Sequence, residues 1–117
     1  HDHRPVGHPL NERLARCFHA ILLNRDGNQP SALFAVSARA DKVNGCYYYS
    51  RPEELCARAF EAFVQDAPIA NRFLVRGTLE STEARQGLYP QGEQRREINR
   101  SFRAYFDALG SALKQSG

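Results

Sequence analysis

The chain has 117 residues, of which 42% are hydrophobic and 25% are charged, and its formal net charge is +3. This length suits one domain with a single modest core, and the composition excludes a disordered or fibrous protein. The mild positive charge lacks the dense Lys/Arg runs of a dedicated nucleic-acid-binding protein. No apolar run approaches the roughly 20 residues of a membrane helix. Three cysteines without a C-x-x-C pair exclude a disulfide framework and favour a reducing cytoplasm.

The first predicted element is a helix that follows Pro9, because Pro is favoured at the opening position of a helix. Its apolar residues recur at helical spacing, namely Leu10, Leu14, Cys17, Phe18, Ile21 and Leu22. The turn-forming stretch NRDGN at 24–28 ends it. Residues 1–8 precede it and are expected to form a flexible arm. The histidines of this arm are His1, His3 and His8, and they lack the His-Glu-x-x-His spacing of a zinc-binding helix.

A second helix is predicted after Pro30, with Ser31 as its cap. Its apolar stripe is Leu33, Val36, Ala40 and Val43. The run LFAV also fits a short strand, since a brief apolar run does not distinguish helix from strand. The following stretch VNGCYYY is interpreted as a turn and then an extended aromatic segment.

The third helix has the clearest start, because Ser50 and Glu53 have the spacing of a reciprocal capping box. Pro52 is tolerated in the first turn, where its missing N–H costs nothing. A wide apolar face follows, formed by Leu55, Cys56, Ala59, Phe60, Phe63 and Val64. This helix should end before Pro68.

The rest of the chain predicts one more long helix. Residues 71–77 are expected to form an isolated extended segment, and residues 78–92 form the longest loop. The closing helix runs from about Glu93 to Lys114, with a core stripe of Ile98, Phe102, Phe106, Leu109 and Leu113. The prediction is therefore a single domain over 1–117 that is mainly α, with three to four helices and one or two short extended segments.

One charged stripe of the third helix is a candidate functional face. Glu54, Arg58 and Glu61 fall within a narrow sector opposite the apolar centre, and such i,i+3 and i,i+4 pairs commonly decorate exposed helices. However, the flanking small residues Ala57 and Ala62 would let another element approach and cover the charges. Covered carboxylates must be paired or bound, because burying a lone charge is too costly.

A second charged stripe lies on the closing helix, where Arg96, Arg100 and Arg103 share a face. These arginines are candidate phosphate contacts. The acidic residues in or near the same sector are Glu93, Glu97 and Asp107. This mixture of signs favours an ordinary solvated face over a nucleic-acid interface.

The stretches YYYSRPEELCARAFEAFV, NRFLV and LYPQGEQRREINRSF closely resemble the large polyvalent protein-associated domain of the first type, found in multidomain proteins of phages, plasmids and other mobile elements. The resemblance extends from about Tyr47 to Leu109. Its most specific elements are Pro52, Glu54, the run Ala57 to Glu61, Tyr89-Pro90, Gly92-Glu93 and Arg96. Cys56 departs from the pattern, since Phe or a similar large residue is usual there, which implies a change in packing only.

The resemblance also implies a zincin-like ancestry, and hence a zincin-like α+β remnant as an alternative description of the fold. Similar proteins have an upstream His-Glu-x-x-His-like helix followed by Asp-His, and a Glu of the later helix is the third zinc ligand. Glu54 or Glu61 occupies that place here, and Arg58 would orient the carboxylate. The upstream helix is absent from this sequence, so no catalytic residue and no cofactor are expected in this chain, and zinc only in a longer protein.

Three functions follow as hypotheses. The first is an accessory binding domain of a phage or mobile-element polyvalent protein, involved in host interaction or counter-defence in the host cytoplasm, without catalysis in this chain. The second is a fragment of a zincin-like metallopeptidase whose metal helix lies upstream. The third is a small DNA-binding module that uses the arginine stripe. The partner is a protein or a nucleic acid rather than a membrane, and the sequence leaves the oligomeric state open.

Overall fold

The computed structural model describes residues 9–67 and 81–116, and within these ranges the chain is helical. The helices are α1 (Pro9–Leu22), α2 (Ala32–Asn44), α3 (Pro52–Asp66), α4 (Thr82–Arg85) and α5 (Gly92–Ser116). The described residues contain no strand, only an isolated antiparallel bridge between Leu23 and Pro30. The predicted mainly α fold is confirmed. The arm at 1–8 and the extended segment predicted at 71–77 lie outside the described residues.

The core lies where α1, α3 and α5 meet. The most extensive contact between the described helices joins α1 to α5, and α3 packs against both. The buried cluster consists of Cys17, Ala20, Ile21, Leu33, Leu55, Ala59, Ile98 and Phe102. Burial raises the pKa of Cys17 to about 11, so this thiol is neutral and packs as a small hydrophobic side chain.

Polar side chains fix the junction between α1, α2 and α5. Ser31 is the N-cap of α2 as predicted, since its hydroxyl accepts a hydrogen bond from the Phe34 N–H at 3.1 Å. The same hydroxyl donates to the Ile21 carbonyl at the end of α1, at 2.6 Å. From α5, the Gln94 amide donates to the Ala20 carbonyl and accepts from the Leu33 N–H, both at 3.1 Å. Backbone groups left free by two helix ends are thereby satisfied.

The buried face of α2 differs from the predicted apolar stripe. The helix is confirmed and the strand alternative is wrong, but the buried residues are Leu33, Ser37 and Asp41. Val43, which was assigned to the core, is 80% exposed. The reason is that Ser37 and Asp41 have partners inside the fold that a search for apolar periodicity does not find.

The predicted start of α3 is also wrong in detail. Arg51 occupies the N-cap position without a side-chain hydrogen bond, so the capping box of Ser50 and Glu53 does not form. The Ser50 hydroxyl donates instead to Asp41, at 2.7 Å. The preceding tyrosines lie in bends and turns rather than in an extended segment. The helix ends at Asp66, before Pro68, as predicted.

An ion pair joins the end of α3 to α5. Arg95 is buried and forms a bidentate contact with Asp66, with Nε to Oδ2 at 2.7 Å and Nη2 to Oδ1 at 3.0 Å. Asn99 donates to the same carboxylate at 2.8 Å. Partial burial opposes ionisation, but the hydrogen bonds from Arg95 and Asn99 outweigh it and lower the pKa of Asp66. This pair fixes the C-terminal end of α3 against the closing helix.

The predicted loop and closing helix need two corrections. The region 78–92 contains the short helix α4 in its described part, with Ser81 as N-cap. Several apolar residues assigned to the core stripes are partly exposed, namely Phe18, Phe60, Phe106 and Leu113. Phe60 and Phe106 pack with Phe63 and Phe102 in one aromatic cluster between α3 and α5. None of the helices in residues 9–67 and 81–116 combines the length and apolar character that crossing a membrane requires.

Candidate functional site

The candidate site is built around residues 46–50, here named the tyrosine loop, which connect α2 to the start of α3. Gly45 ends α2 with a left-handed backbone (φ +67°), a conformation that glycine adopts without strain. The Asp41 carboxylate then accepts backbone hydrogen bonds from Tyr48 at 3.1 Å and from Tyr49 and Ser50 at 2.8 Å. With the Ser50 hydroxyl, these bonds fix the backbone of the loop.

The electrostatics of Asp41 match this geometry. Its side chain is nearly buried, at 4% exposure, and burial alone would raise its pKa. The hydrogen bonds from Ser50, Tyr49 and Tyr48 outweigh burial and lower the pKa of Asp41 to about 2. The carboxylate is therefore ionised at physiological pH, and its hydrogen bonds are of the stronger, charge-assisted kind.

While its backbone is fixed, the tyrosine loop presents the side chains of Tyr47 and Tyr48 to solvent. Tyr47 is 60% exposed and Tyr48 is 48% exposed, and Val43 lies beside the loop at the end of α2. The guanidinium of Arg51 lies 5.2 Å from the centre of the Tyr47 ring, and its Nε donates to the Tyr47 carbonyl at 2.7 Å. Tyrosine and arginine are the residue types enriched in the energetic centres of protein interfaces.

Arg58 stabilises the tyrosine loop from its buried side. Its side chain is buried, at 8% exposure, and its Nη2 donates to the Tyr49 carbonyl at 2.8 Å and to the Ser37 hydroxyl at 2.9 Å. The guanidinium also lies 5.2 Å from the Tyr49 ring centre. Its Nε donates to the Leu88 carbonyl at 2.5 Å. Arg58 thereby joins α2, the tyrosine loop and the segment that precedes α5.

The two carboxylates of the stripe contact tyrosines on either side of Arg58. Glu54 is half-buried, and a hydrogen bond with its carboxylate raises the pKa of Tyr48. Glu61 is exposed and accepts a hydrogen bond from the Tyr89 hydroxyl at 2.9 Å. Burial, together with this contact, raises the pKa of Tyr89 to about 12. The stripe thus lies against two segments of the same chain.

Arg58 is oriented differently from what the family resemblance implied. The expected role was to pair with a stripe carboxylate and orient it toward a metal. Its hydrogen bonds go instead to two carbonyl oxygens and a hydroxyl. Burial lowers the pKa of the guanidinium and the Glu54 charge raises it, so Glu54 acts on Arg58 at longer range. The orientation serves the tyrosine loop.

The described residues alone do not assemble a zinc site, and the role of Glu54 or Glu61 as one ligand beside upstream histidines stays a prediction. Glu54 and Glu61 lie seven positions apart on α3, which separates their backbones by about 10.5 Å, and they bond to different tyrosines. No group of three or more His, Cys, Asp or Glu side chains comes together within residues 10–67 and 81–115. His1, His3 and His8 lie outside the described residues. No chemical step through a metal is therefore assigned to this chain.

The arginine stripe of α5 is partly neutralised by its own helix. Arg96 pairs with Glu93 at 2.5 Å, and Arg100 pairs with Glu97 at 2.6 Å. Arg103 is exposed and lies next to a small cavity near the end of α3. Intrahelical pairs of this kind reduce the positive potential available to a phosphate backbone.

A family model described as Large polyvalent protein-associated domain 1 matches residues 40–113, which is more than half of the chain. The chain belongs to this family. The match begins one residue before Asp41 and includes the tyrosine loop, Arg58 and Leu88, so the whole candidate site except Ser37 lies within the family domain. The matched range of 40–113 is wider than the predicted range of 47–109. No curated protein and no solved structure matches the chain.

Sequence reasoning identified Arg58 but missed the residue that organises the tyrosine loop of this family domain. Asp41 and Ser37 follow Leu33 at spacings of four, which places all three on one side of α2. A polar residue on a buried helix face needs a partner, and Asp near a turn commonly binds backbone N–H groups. The spacing of Ser37 and Asp41 behind Leu33 therefore indicated buried polar side chains on α2, but apolar periodicity alone does not detect them.

Proposed function

We propose that this chain is an accessory binding domain of a mobile-element polyvalent protein, and that it acts in host interaction or counter-defence by binding a protein partner through the tyrosine loop. The binding surface consists of Tyr47, Tyr48, Val43 and the Arg51 side chain stacked on Tyr47. The domain contributes recognition, and catalysis belongs to other parts of the protein or to none.

The observation that supports this proposal is the contrast between the backbone and the side chains of the tyrosine loop. The buried Asp41 carboxylate fixes the loop through three backbone hydrogen bonds and one from the Ser50 hydroxyl, whereas Tyr47 and Tyr48 are largely exposed. A fixed loop loses little conformational entropy when a partner binds, so more of the contact energy appears as affinity.

The chemistry of the surface defines the partner. The Tyr47 ring and the Val43 side chain fit an apolar pocket, and the Arg51 guanidinium fits a carboxylate at the rim of that pocket. Stacking on Tyr47 pre-orients the guanidinium, which favours a planar bidentate contact. The expected partner is a folded protein with an apolar depression bordered by Asp or Glu.

The test uses a variant that alters the surface and leaves the fold intact. Val43→Ser with Tyr47→Ser removes two exposed side chains, while the backbone bonds of the loop are kept. Phe18→Ser removes an exposed aromatic residue from α1 and is the matched control. Each chain is used to enrich proteins from host cells, and each enriched protein is then purified and titrated calorimetrically. We expect one protein that binds the wild type and the control stoichiometrically and the double variant at least tenfold more weakly.

A nucleic-acid partner is a separate outcome of the same experiment. The variant Arg96→Gln, Arg100→Gln, Arg103→Gln should keep its protein partner, and wild-type binding to duplex DNA should be undetectable at low salt. The opposite result is DNA binding whose salt slope falls by about one for each arginine that contacts phosphate. Such DNA binding would contradict the proposal. Undiminished binding of the protein partner by the Val43→Ser, Tyr47→Ser variant would contradict it as well.

A further inference from the structure

A groove of about 660 Å³ lies between α1 and α5, and its lining also includes residues from the α1–α2 connection and the start of α2. This volume is within the range of small-molecule pockets. The lining residues of α1 share one face of that helix, and the lining residues of α5 share one face of α5. Except for α5, these parts lie outside the region matched by the family model. The groove is thus separate from the tyrosine loop.

Part of the groove lining is small and apolar. Ala15 and Ala20 contribute from α1 and Ala32 from α2, and their short side chains leave the space between the helices open. Gln94 bonds to both α1 and α2 and so holds the surrounding elements at a fixed separation. The groove is therefore preformed, which lowers the entropic cost of binding a ligand.

The charged side chains around the groove carry more positive than negative charge. Glu93 and Glu97 lie in its wall, but they pair with Arg96 and Arg100 respectively. Arg96 first, and then Arg100 and Arg25, lower the pKa of Glu93, so this carboxylate is ionised and already compensated. Taken together, Arg16, Arg25, Arg96 and Arg100 exceed Glu93 and Glu97 by two positive charges, and Arg16 on α1 and Arg25 on the connection are the arginines of this set that line the groove. Positive charge beside a small apolar surface is complementary to an amphipathic anion.

We propose that this groove binds a small organic anion, that is, an apolar group carrying a carboxylate or a phosphate. The apolar group lies over Ala15, Ala20 and Ala32, and the anionic group lies between Arg16 and Arg25. Guanidinium groups bind both kinds of anion through paired N–H donors.

The first experiment titrates the ¹⁵N-labelled chain with phenyl phosphate and follows the backbone amide shifts. We expect saturable shifts concentrated at Ala20, Ser31 and Ser101, which line the groove. Inorganic phosphate and benzyl alcohol each supply one half of the chemistry and should bind at least tenfold more weakly. Phenylacetate distinguishes a carboxylate from a phosphate ligand. Equal binding of inorganic phosphate, or shifts spread over the whole surface, would overturn the proposal.

The second experiment assigns binding to the groove. Arg16→Gln and Arg25→Gln should each weaken phenyl phosphate binding by roughly fivefold, the effect of losing one partly exposed charge contact. Arg39→Gln, an exposed arginine of α2 that does not line the groove, should leave it unchanged. Ala32→Phe fills the groove and should abolish binding, whereas Ala38→Phe on the same helix should not. The proposal would also be overturned if Arg39→Gln weakened binding as much as Arg16→Gln and Arg25→Gln do, or if Ala38→Phe weakened it as much as Ala32→Phe does.

Discussion

Arg58 shows how a charged side chain is accommodated inside this small domain. A buried guanidinium is costly unless its donors find acceptors, and here they find two backbone carbonyls and the Ser37 hydroxyl. The Tyr49 ring lies against the remaining face of the charge. Because two of these acceptors are backbone atoms of connecting segments, Arg58 fixes loop positions that no apolar side chain could specify.

Asp41 predicts a pH dependence of stability. Its folded pKa of about 2 is below the 3.8 of a free aspartate side chain, so the carboxylate stabilises the fold fully above pH 4. This contribution is lost as the pH falls from about 4 to 2. Asp41→Asn should lower the free energy of unfolding at pH 7 by about 1–3 kcal/mol, because charge-assisted hydrogen bonds are lost. Urea denaturation at pH 7, 4 and 2.5 measures the difference, which should narrow at the lowest pH.

The control for this pH series is Asp107→Asn, which changes an exposed carboxylate on α5. Its stability should follow that of the wild type within about 0.5 kcal/mol at each pH. A wild-type and Asp41→Asn difference that stays constant from pH 7 to 2.5 would contradict the assigned role of the carboxylate.

At the scale of elements, helical periodicity located the long helices but did not identify which face each one buries. The apolar stripe of α2 pointed to Val36, Ala40 and Val43, yet the helix turns Ser37 and Asp41 inward. Local patterns report amphipathicity, whereas burial of Ser37 depends on Arg58, a residue 21 positions away. Such a long-range polar contact overrides the local apolar preference.

The N-terminus of α3 shows a similar competition between local and distant partners. Ser50 and Glu53 have the spacing of a capping box, but the Ser50 hydroxyl bonds to Asp41, nine residues earlier. A hydrogen bond to an ionised carboxylate is stronger than one with a neutral backbone N–H of the first turn. The Ser50 hydroxyl therefore bonds to Asp41 and does not cap α3. The stripe on α3 was predictable from spacing. The conformation of the tyrosine loop, which Arg58 contacts, was not, because it depends on the bond between Ser50 and Asp41.

The closing helix α5 offers a prediction about Gly110. This residue is exposed in the helix interior, and a Cβ added there would meet no atom within 4 Å. Gly110→Ala should therefore raise the free energy of unfolding by about 0.5–1 kcal/mol, since alanine loses less backbone entropy in a helix. Chemical denaturation followed by circular dichroism measures the change.

Gly45→Ala is the matched control for Gly110→Ala. A Cβ at Gly45 also meets no atom within 4 Å, but the backbone there is left-handed, with φ +67°. This substitution should lower stability by about 1 kcal/mol, because the strain arises from the backbone and not from crowding. Changes of the same sign in the two variants would show that these local conformations do not determine the outcome.

At the scale of the whole molecule, α1 belongs to the fold although the family model does not cover it. The match spans residues 40–113, whereas α1 ends at Leu22. Even so, α1 supplies Cys17, Ala20 and Ile21 to the buried cluster and makes the most extensive contact with α5. In this chain, the family domain and the preceding helices share one core.

This shared core predicts the behaviour of a chain that lacks residues 1–31. Removing α1 would expose the sides of Leu33, Ile98 and Phe102 that now pack in the common cluster. Buried apolar area is the main source of stability in a domain of this size, so we expect the truncated chain to lose its cooperative unfolding transition and to bind a hydrophobic dye. Urea denaturation followed by near- and far-ultraviolet circular dichroism measures this. Phe18→Ala in the full chain changes an exposed residue of α1 and should keep the transition. A cooperative transition in the truncated chain, with native near-ultraviolet signal, would show that the family region folds without α1.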